Sequence, residues 1–356
     1  MFLVIAITSM TACSTPTDVS AVSAETELQL KIDRIVDAAV VQGFAGQVVV
    51  AGVDRVLYQR QAGYSDSAKK VPVKADTLFH VASISKYFTA ILVVKSAEEG
   101  KIDLDDNIAS WVPDTELAKR DITFRQLLHH QSGLGSSYAA ENAVTAKKAL
   151  DVLDGQTVDE EKRGRFKYSN DGYNLLAIIL ERIYGKPYEV LLSEKIKKPA
   201  GLKNIKGWSE VDKTDPRKVG QPLQPLPEKL LKRNYGMIGS AGIFTTADDL
   251  VRLQKALRNG KILSEQSLES LWRPTEQISI GRATAGGFLR RSEIKGLVFS
   301  ARGNEDWGDN AILNYYHDHD FYVAVVTSKG PAEDTGQPPF CSSMSQAIEK
   351  ILPTSN

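Results

Sequence analysis

Cysteine is scarce in this chain of 356 residues: Cys13 and Cys341 are the only two. A fold of this size with at most one disulfide is held by its core. A surplus of either charge is missing too, since 44 Lys and Arg balance 44 Asp and Glu. The chain therefore has no net field to draw nucleic acid or an acidic polymer. There is no Gly-x-Ser-x-Gly elbow, which weighs against an α/β-hydrolase, and no Gly-rich phosphate loop. The five histidines offer no convincing ligand set. His317-Asp318-His319-Asp320 links two predicted strands, where alternate residues point apart, and reads as a solvated hairpin. His129 and His130 are neighbours on a predicted helix and cannot both face one ion. Neither a metal nor an organic cofactor is implied.

What is present is an ordinary globular composition, 42% hydrophobic and 25% charged. The pattern begins with a helix over Glu25 to Gln42, stopped by Gly43. Strands Gly46-Ala51 and Arg55-Arg60 follow, joined across Gly52-Val53-Asp54 as a hairpin. Near the other end, Leu297-Arg302, Asn310-Tyr316 and Phe321-Thr327 read as three more strands, and Ser343 to Leu352 as a last helix. Between them the signals are helical, with a capping box at Thr123 and Gln126 and a second start at Thr246 and Asp249. The fold class expected is α/β: an antiparallel sheet built from N- and C-terminal strands, flanked by helices. A mostly helical inserted domain over about 81–234 divides an α/β part formed by about 25–80 and 235–352.

The segment Phe2 to Cys13 is apolar but shorter than the ~20 residues of a membrane-spanning helix. Small residues before a cysteine, Thr11-Ala12-Cys13, resemble a bacterial lipoprotein signal over residues 1–13, with Cys13 the lipid attachment point. No Lys or Arg precedes the apolar run, a departure from that pattern, and a plain cleaved signal is the other reading. Residues 14–24 would form a flexible tether. The protein is thus expected at the cell envelope, exported, lipid-anchored and monomeric. Cys341 reads as a structural thiol.

The most informative stretch is Phe79-His80-Val81-Ala82-Ser83-Ile84-Ser85-Lys86. A hydroxyl and an amine three residues apart share one face of a helix that starts at Ser83. The spacing alone is weak, because Ser67 with Lys70 and Ser292 with Lys295 repeat it, and it equally describes an N-cap serine with a solvated lysine. Only Ser83 opens a long run, read as amphipathic, with Ile84, Phe88, Ile91 and Leu92 on one side and Gly100 closing it. A second element, Tyr168-Ser169-Asn170, is the only Tyr-x-Asn in the chain. It precedes a helix whose stripe is Leu175, Leu176, Ile179, Leu180 and Ile183. The reference pKa values of a phenol, ~10, and a lysine, ~10.4, are close enough for the two to share a proton network beside one serine.

Together Ser83-Ile84-Ser85-Lys86 and Tyr168-Ser169-Asn170 resemble the serine β-lactamase and DD-peptidase superfamily, nearest its class C β-lactamase-like branch. Asp121 to Leu134 and Gly239 to Leu250 resemble further segments of that family, so the likeness runs from about Phe44 to Lys329. It implies a serine hydrolase working through an acyl-enzyme on a small-molecule or peptide substrate: a β-lactam, a D-amino-acid peptide or an ester. Ser83 would be the nucleophile, and Lys86 and Tyr168 a joint base. Asn170 would hold the substrate amide and orient Lys86. The family's Lys-Thr-Gly or His-x-Gly element is placed on Arg302-Gly303-Asn304. That gives Arg302 the role of gripping a substrate carboxylate and, with burial, of depressing the Lys86 pKa. Asn304, standing where the family has glycine, would narrow the pocket. The oxyanion would sit between the N–H groups of Ser83 and Glu305. Two alternatives stand beside the enzyme: a catalytically impaired penicillin-binding or sensing lipoprotein, and an envelope scaffold.

Overall fold

The computed structural model describes residues 19–211, 213–222, 234–330 and 339–353. Helix α1 (Val19–Val41) leads into the hairpin of β1 (Gly46–Ala51) and β2 (Val56–Ala62). Its start at Val19 shortens the expected tether: residues 19–24 are helical, and Cys13 with residues 14–18 lies outside the described residues. After β3 (Phe79–His80) and a 3₁₀ turn over Ala82–Ile84 come α2 (Ser85–Glu98), α3 (Phe124–Leu128), α4 (Ala146–Asp154) and α5 (Asn170–Tyr184). Short α6 (Tyr188–Leu191) and α7 (Lys198–Ala200) precede β4 (Lys206–Gly207) and α8 (Trp208–Val211). The chain returns through β5 (Ile243–Thr245), α9 (Ala247–Arg258) and α10 (Glu265–Trp272). It ends in β6 (Gln277–Ile278), β7 (Gly281–Thr284), β8 (Gly287–Ser292), β9 (Gly296–Asn304), β10 (Asn310–Tyr316), β11 (Phe321–Thr327) and α11 (Phe340–Ile351).

Strands from both ends form one antiparallel sheet in the order β2-β1-β11-β10-β9-β8-β7-β6. Its alternation is two-sided because both faces are covered. Val48, Val50, Ile312, Val323 and Val325 pack with α1 and α11. Val49, Leu313, Ala324 and Val326 point the other way, into the larger core that includes α2, α5, α9 and α10. A strand buried on both faces reads as a continuous apolar run, as in the six buried residues of β1. The β6–β8 end was not expected, since Gly281 to Ser292 is rich in glycine and arginine and lacks an apolar period.

Two elements position the site. Helix α2 is not amphipathic: every residue from Ser85 to Val94 is buried, because the sheet, α5 and α10 surround it. A three-stranded sheet, β3-β5-β4, brings the chain to its N-terminus. Between strand and helix, Ala82 takes a left-handed φ of 45°, costly for a residue with a Cβ and common at functional turns. Ser83 therefore sits in the 3₁₀ turn, and the α-helix begins at Ser85.

Candidate active site

The tight turn leaves Ser83 partly exposed while Lys86, one turn on, is buried. Lys86 Nζ donates to Ser83 Oγ at 3.0 Å and to the Ser240 carbonyl at 3.0 Å. Tyr168 OH donates to the same Ser83 Oγ at 2.8 Å, and Lys86 Nζ lies 4.7 Å from the Tyr168 ring centre. An alcohol, an amine and a phenol widely separated in sequence thus meet at one oxygen. The other Ser-x-x-Lys pairs do no such thing: Lys295 Nζ donates to Leu352 O, and Lys70 lies in the turn that Asp66 closes.

Electrostatics separate the two candidate bases. Burial lowers the Lys86 pKa to about 7, against a raising pull from Glu305. The expected part of Arg302 in that shift is corrected, since its guanidinium lies by Phe288, Arg290 and Glu349 and burial accounts for the fall. Burial raises the Tyr168 phenol above its usual range, while its bond to Ser83 opposes the rise. Two fifths of Tyr168 is nonetheless open to the cleft, where solvent screens part of the effect. Near neutrality the amine can be free base and the phenol stays protonated. Lys86 can therefore accept a proton where Tyr168 can only donate one.

Asn170 lines the cleft as the first residue of α5, and the N-cap is Ser169, whose Oγ accepts from Gly172 N–H. Asn170 Nδ2 donates to Ser136 O at 3.1 Å, and its Oδ1 is buried without a partner among the described residues. It makes no bond to Lys86. The amine is oriented by the Ser240 carbonyl, in a turn fixed by Asn174 Oδ1 accepting from Gly239 and Ser240 N–H. Sequence reasoning passed over Asn174, which lies within the same segment. His130 also lines the cleft. Its ring stacks on Tyr168 at 4.6 Å, and its Nδ1 accepts from Ser169 N–H.

Register corrects the third element by one residue. A Cβ on Gly303 would lie 2.1 Å from Val81 O and 3.0 Å from Ser83 N, so Gly303 is the close-approach glycine, not position 304. The family's Lys or His position, two residues earlier on the same face, is then Ala301, fully buried. Arg302 projects to the opposite face, beside Arg290 and Glu349, with its guanidinium 5.0 Å from the Phe288 ring centre. It still reaches the cleft wall. Glu305 N–H is taken by Asp309 O at 2.9 Å, which removes it as an oxyanion donor. Since His317 N–H also bonds Leu297 O, odd-numbered residues of β9 face β10. The Asn304 N–H therefore points away from β10, past the last β8 pair at Ser300. Asn304 lines the cleft with Ser83. The Glu305 side chain is buried, accepts from Tyr138 OH at 2.9 Å and has a raised pKa through burial.

The cleft encloses about 600 Å³. Phe166, Ile278, Ile280 and Phe288 supply an apolar wall, and Arg302, Asn304 and Asn170 the polar groups. Among the described residues, no group of three or more His, Cys, Asp or Glu could hold a metal ion, and no helix is long and apolar enough to cross a membrane.

Comparison with known proteins matches a family model described as Beta-lactamase to residues 32–339. The chain is 29% identical over 322 residues to Penicillin-binding protein 4* of Bacillus subtilis, covering 82% of this chain and 69% of that protein. It is 26% identical to Protein flp of Staphylococcus aureus, covering 80% of this chain and 60% of flp. Both relatives are thus longer than the matched region. Among solved structures, D-amino acid amidase from Ochrobactrum anthropi SV3, complexed with D-phenylalanine, superposes with a TM-score of 0.76 at 22% identity, over 91% of this chain and 98% of that one. FmtA from Staphylococcus aureus superposes at 0.72 and 19% identity, over 90% and 87%. These likenesses carry the fold.

Proposed function

The chain belongs to the Beta-lactamase family, and from that premise we propose a serine hydrolase that acylates Ser83 and then releases the acyl group to water. The observation that supports it most is the meeting of Lys86 Nζ and Tyr168 OH at Ser83 Oγ, 3.0 and 2.8 Å away. Neutral Lys86 takes the Ser83 proton as Oγ bonds to the substrate carbonyl carbon. The N–H groups of Ser83 and Asn304 receive the oxyanion. When the C–N or C–O bond breaks, the proton passes from the Lys86 ammonium, through the Tyr168 hydroxyl, to the leaving atom. Water then repeats the sequence against the ester.

The substrate class is an amide or ester with an apolar acyl part and, in β-lactams and D-amino-acid peptides though not in simple esters, a carboxylate. Phe166, Ile280 and Phe288 suit the first feature and Arg302 the second. Replacing Arg302 with glutamine is expected to raise KM for carboxylate-bearing substrates about tenfold or more, the worth of a charged hydrogen bond. Uncharged esters should be nearly unaffected in steady-state assays of both classes. The relatives' names suit a place at the bacterial cell envelope. We extend this to an exported monomer anchored through lipid on Cys13.

A second reading, a sensor that acylates without turning over, is favoured by one observation: Ala301 stands where the family carries lysine or histidine. Intact-mass spectrometry after nitrocefin, p-nitrophenyl acetate and a D-Ala-D-Ala peptide, in parallel, tests both. Turnover with a transient adduct on the peptide containing Ser83 supports the hydrolase, and a lasting stoichiometric adduct supports the sensor. No adduct with any probe, or one mapped elsewhere, rejects both.

A further inference from the structure

Behind the nucleophile turn, His80 is buried on β3, three residues before Ser83. Its Nδ1 meets Asp309 Oδ2 at 3.0 Å and its Nε2 meets the carbonyl oxygen of Ala241. A carbonyl only accepts, so Nε2 carries hydrogen. Asp309 Oδ2 also accepts from Trp307 Nε1–H at 2.7 Å, and an oxygen that accepts from both rings leaves Nδ1 a donor as well. The ring is boxed by Phe244, Trp208 and Trp307, with centroids 5.0, 5.3 and 6.1 Å away, faces that favour a cation. The titratable groups acting on it are Asp309 and Glu305, both from the loop after β9. β5 and α8 contribute Phe244 and Trp208, which carry no charge.

We propose that His80 is an imidazolium at neutral pH and a positioning residue. Its Nδ1–H bond to Asp309 ties the strand that delivers Ser83 to the loop that shapes the oxyanion site, and its Nε2–H bond to Ala241 O ties the same strand to the segment before β5. Asp309 serves both ends, because its backbone carbonyl accepts from Glu305 N–H, the next residue after Asn304. The pull of the two carboxylates outweighs burial and raises the His80 pKa, in keeping with the hydrogen-bond pattern. The charge assignment stands on its own, and only the positioning role rests on the acyl-enzyme reading.

The test is ¹⁵N NMR of histidine-labelled protein, with His80 assigned by His80→Gln. Both ring nitrogens of His80 should show the protonated signature at pH 7.5, a unit above the ~6.5 of free histidine. One protonated nitrogen at that pH overturns the proposal. Kinetically, Asp309→Asn should slow acylation per active site about 10- to 100-fold, the cost of a misplacement near an ångström, with KM within about twofold. His80→Gln in that background restores a neutral pair and should recover part of the rate. An unchanged rate per titrated site rejects the positioning role. If wild-type protein forms no adduct at Ser83, the acyl-enzyme reading and with it the positioning role fall, and the NMR result still decides the charge.

Discussion

Replacing Lys86 with methionine is expected to lower kcat/KM by about 10³, within the 10² to 10⁴ that a positioned general base contributes. Methionine fills a similar volume, so the packing of α2 survives while the proton acceptor is gone. In the wild-type protein kcat/KM should climb with pH through about 7, where Lys86 sheds its proton, and the variant should show no such limb. Tyr168 cannot replace the amine, because its phenol is held above the usual range. Steady-state kinetics with one ester from pH 5 to 9 reads both outcomes, and a surviving limb in the variant would assign the base elsewhere.

The same substitution carries a stability consequence of opposite sign. The Lys86 pKa falls from ~10.4 in the unfolded chain to about 7 in the fold. Between those values the unfolded state binds the extra proton, so stability rises with pH across that window and the full penalty applies below about 7. Thermal unfolding of the wild-type protein should show that rise between pH 7 and 9, and Lys86→Met should flatten it and unfold later at pH 6. Loss of activity with gain of stability is the mark of a group kept for chemistry at the expense of the fold.

The sheet was legible where burial on both faces writes an uninterrupted apolar strand, as in β1, β10 and β11, and Ser83, Lys86 and Tyr168 were legible because short spacing and a following helix carry them. The β6–β8 strands were not, since Gly287 and Arg290 announce no period and their pairing comes from β9. Position 303 against 304 was misjudged for a related reason. Strand register is set by what the backbone meets across the cleft, here Val81 O and Ser83 N, and a slip of one residue reverses every side chain. That slip alone moved the Lys position from Ala301 to Arg302 and the oxyanion donor from Asn304 to Glu305. His80 and Asp309 lie 229 positions apart, a pairing that no local pattern announces.

Gly303→Ala should therefore do disproportionate damage for one methyl group. The added Cβ would lie 2.1 Å from Val81 O, with Ala82 Cβ and Ser83 N at 3.0 Å. Two of these neighbours are backbone atoms, which cannot swing aside, so β9 must retreat from the nucleophile turn. Retreat carries Asn304 N–H with it, and losing one oxyanion donor costs about 10² to 10³ in kcat. Substrate contacts along the Phe166 and Ile280 wall are untouched, so KM should change much less than kcat. Gly52→Ala is the control, because its Cβ would have Leu57 Cδ1 at 4.0 Å and nothing nearer. It should leave both constants as they were. Equal kcat in the two variants, each confirmed folded by its thermal transition, would dissolve the link between the β9 register and the oxyanion site.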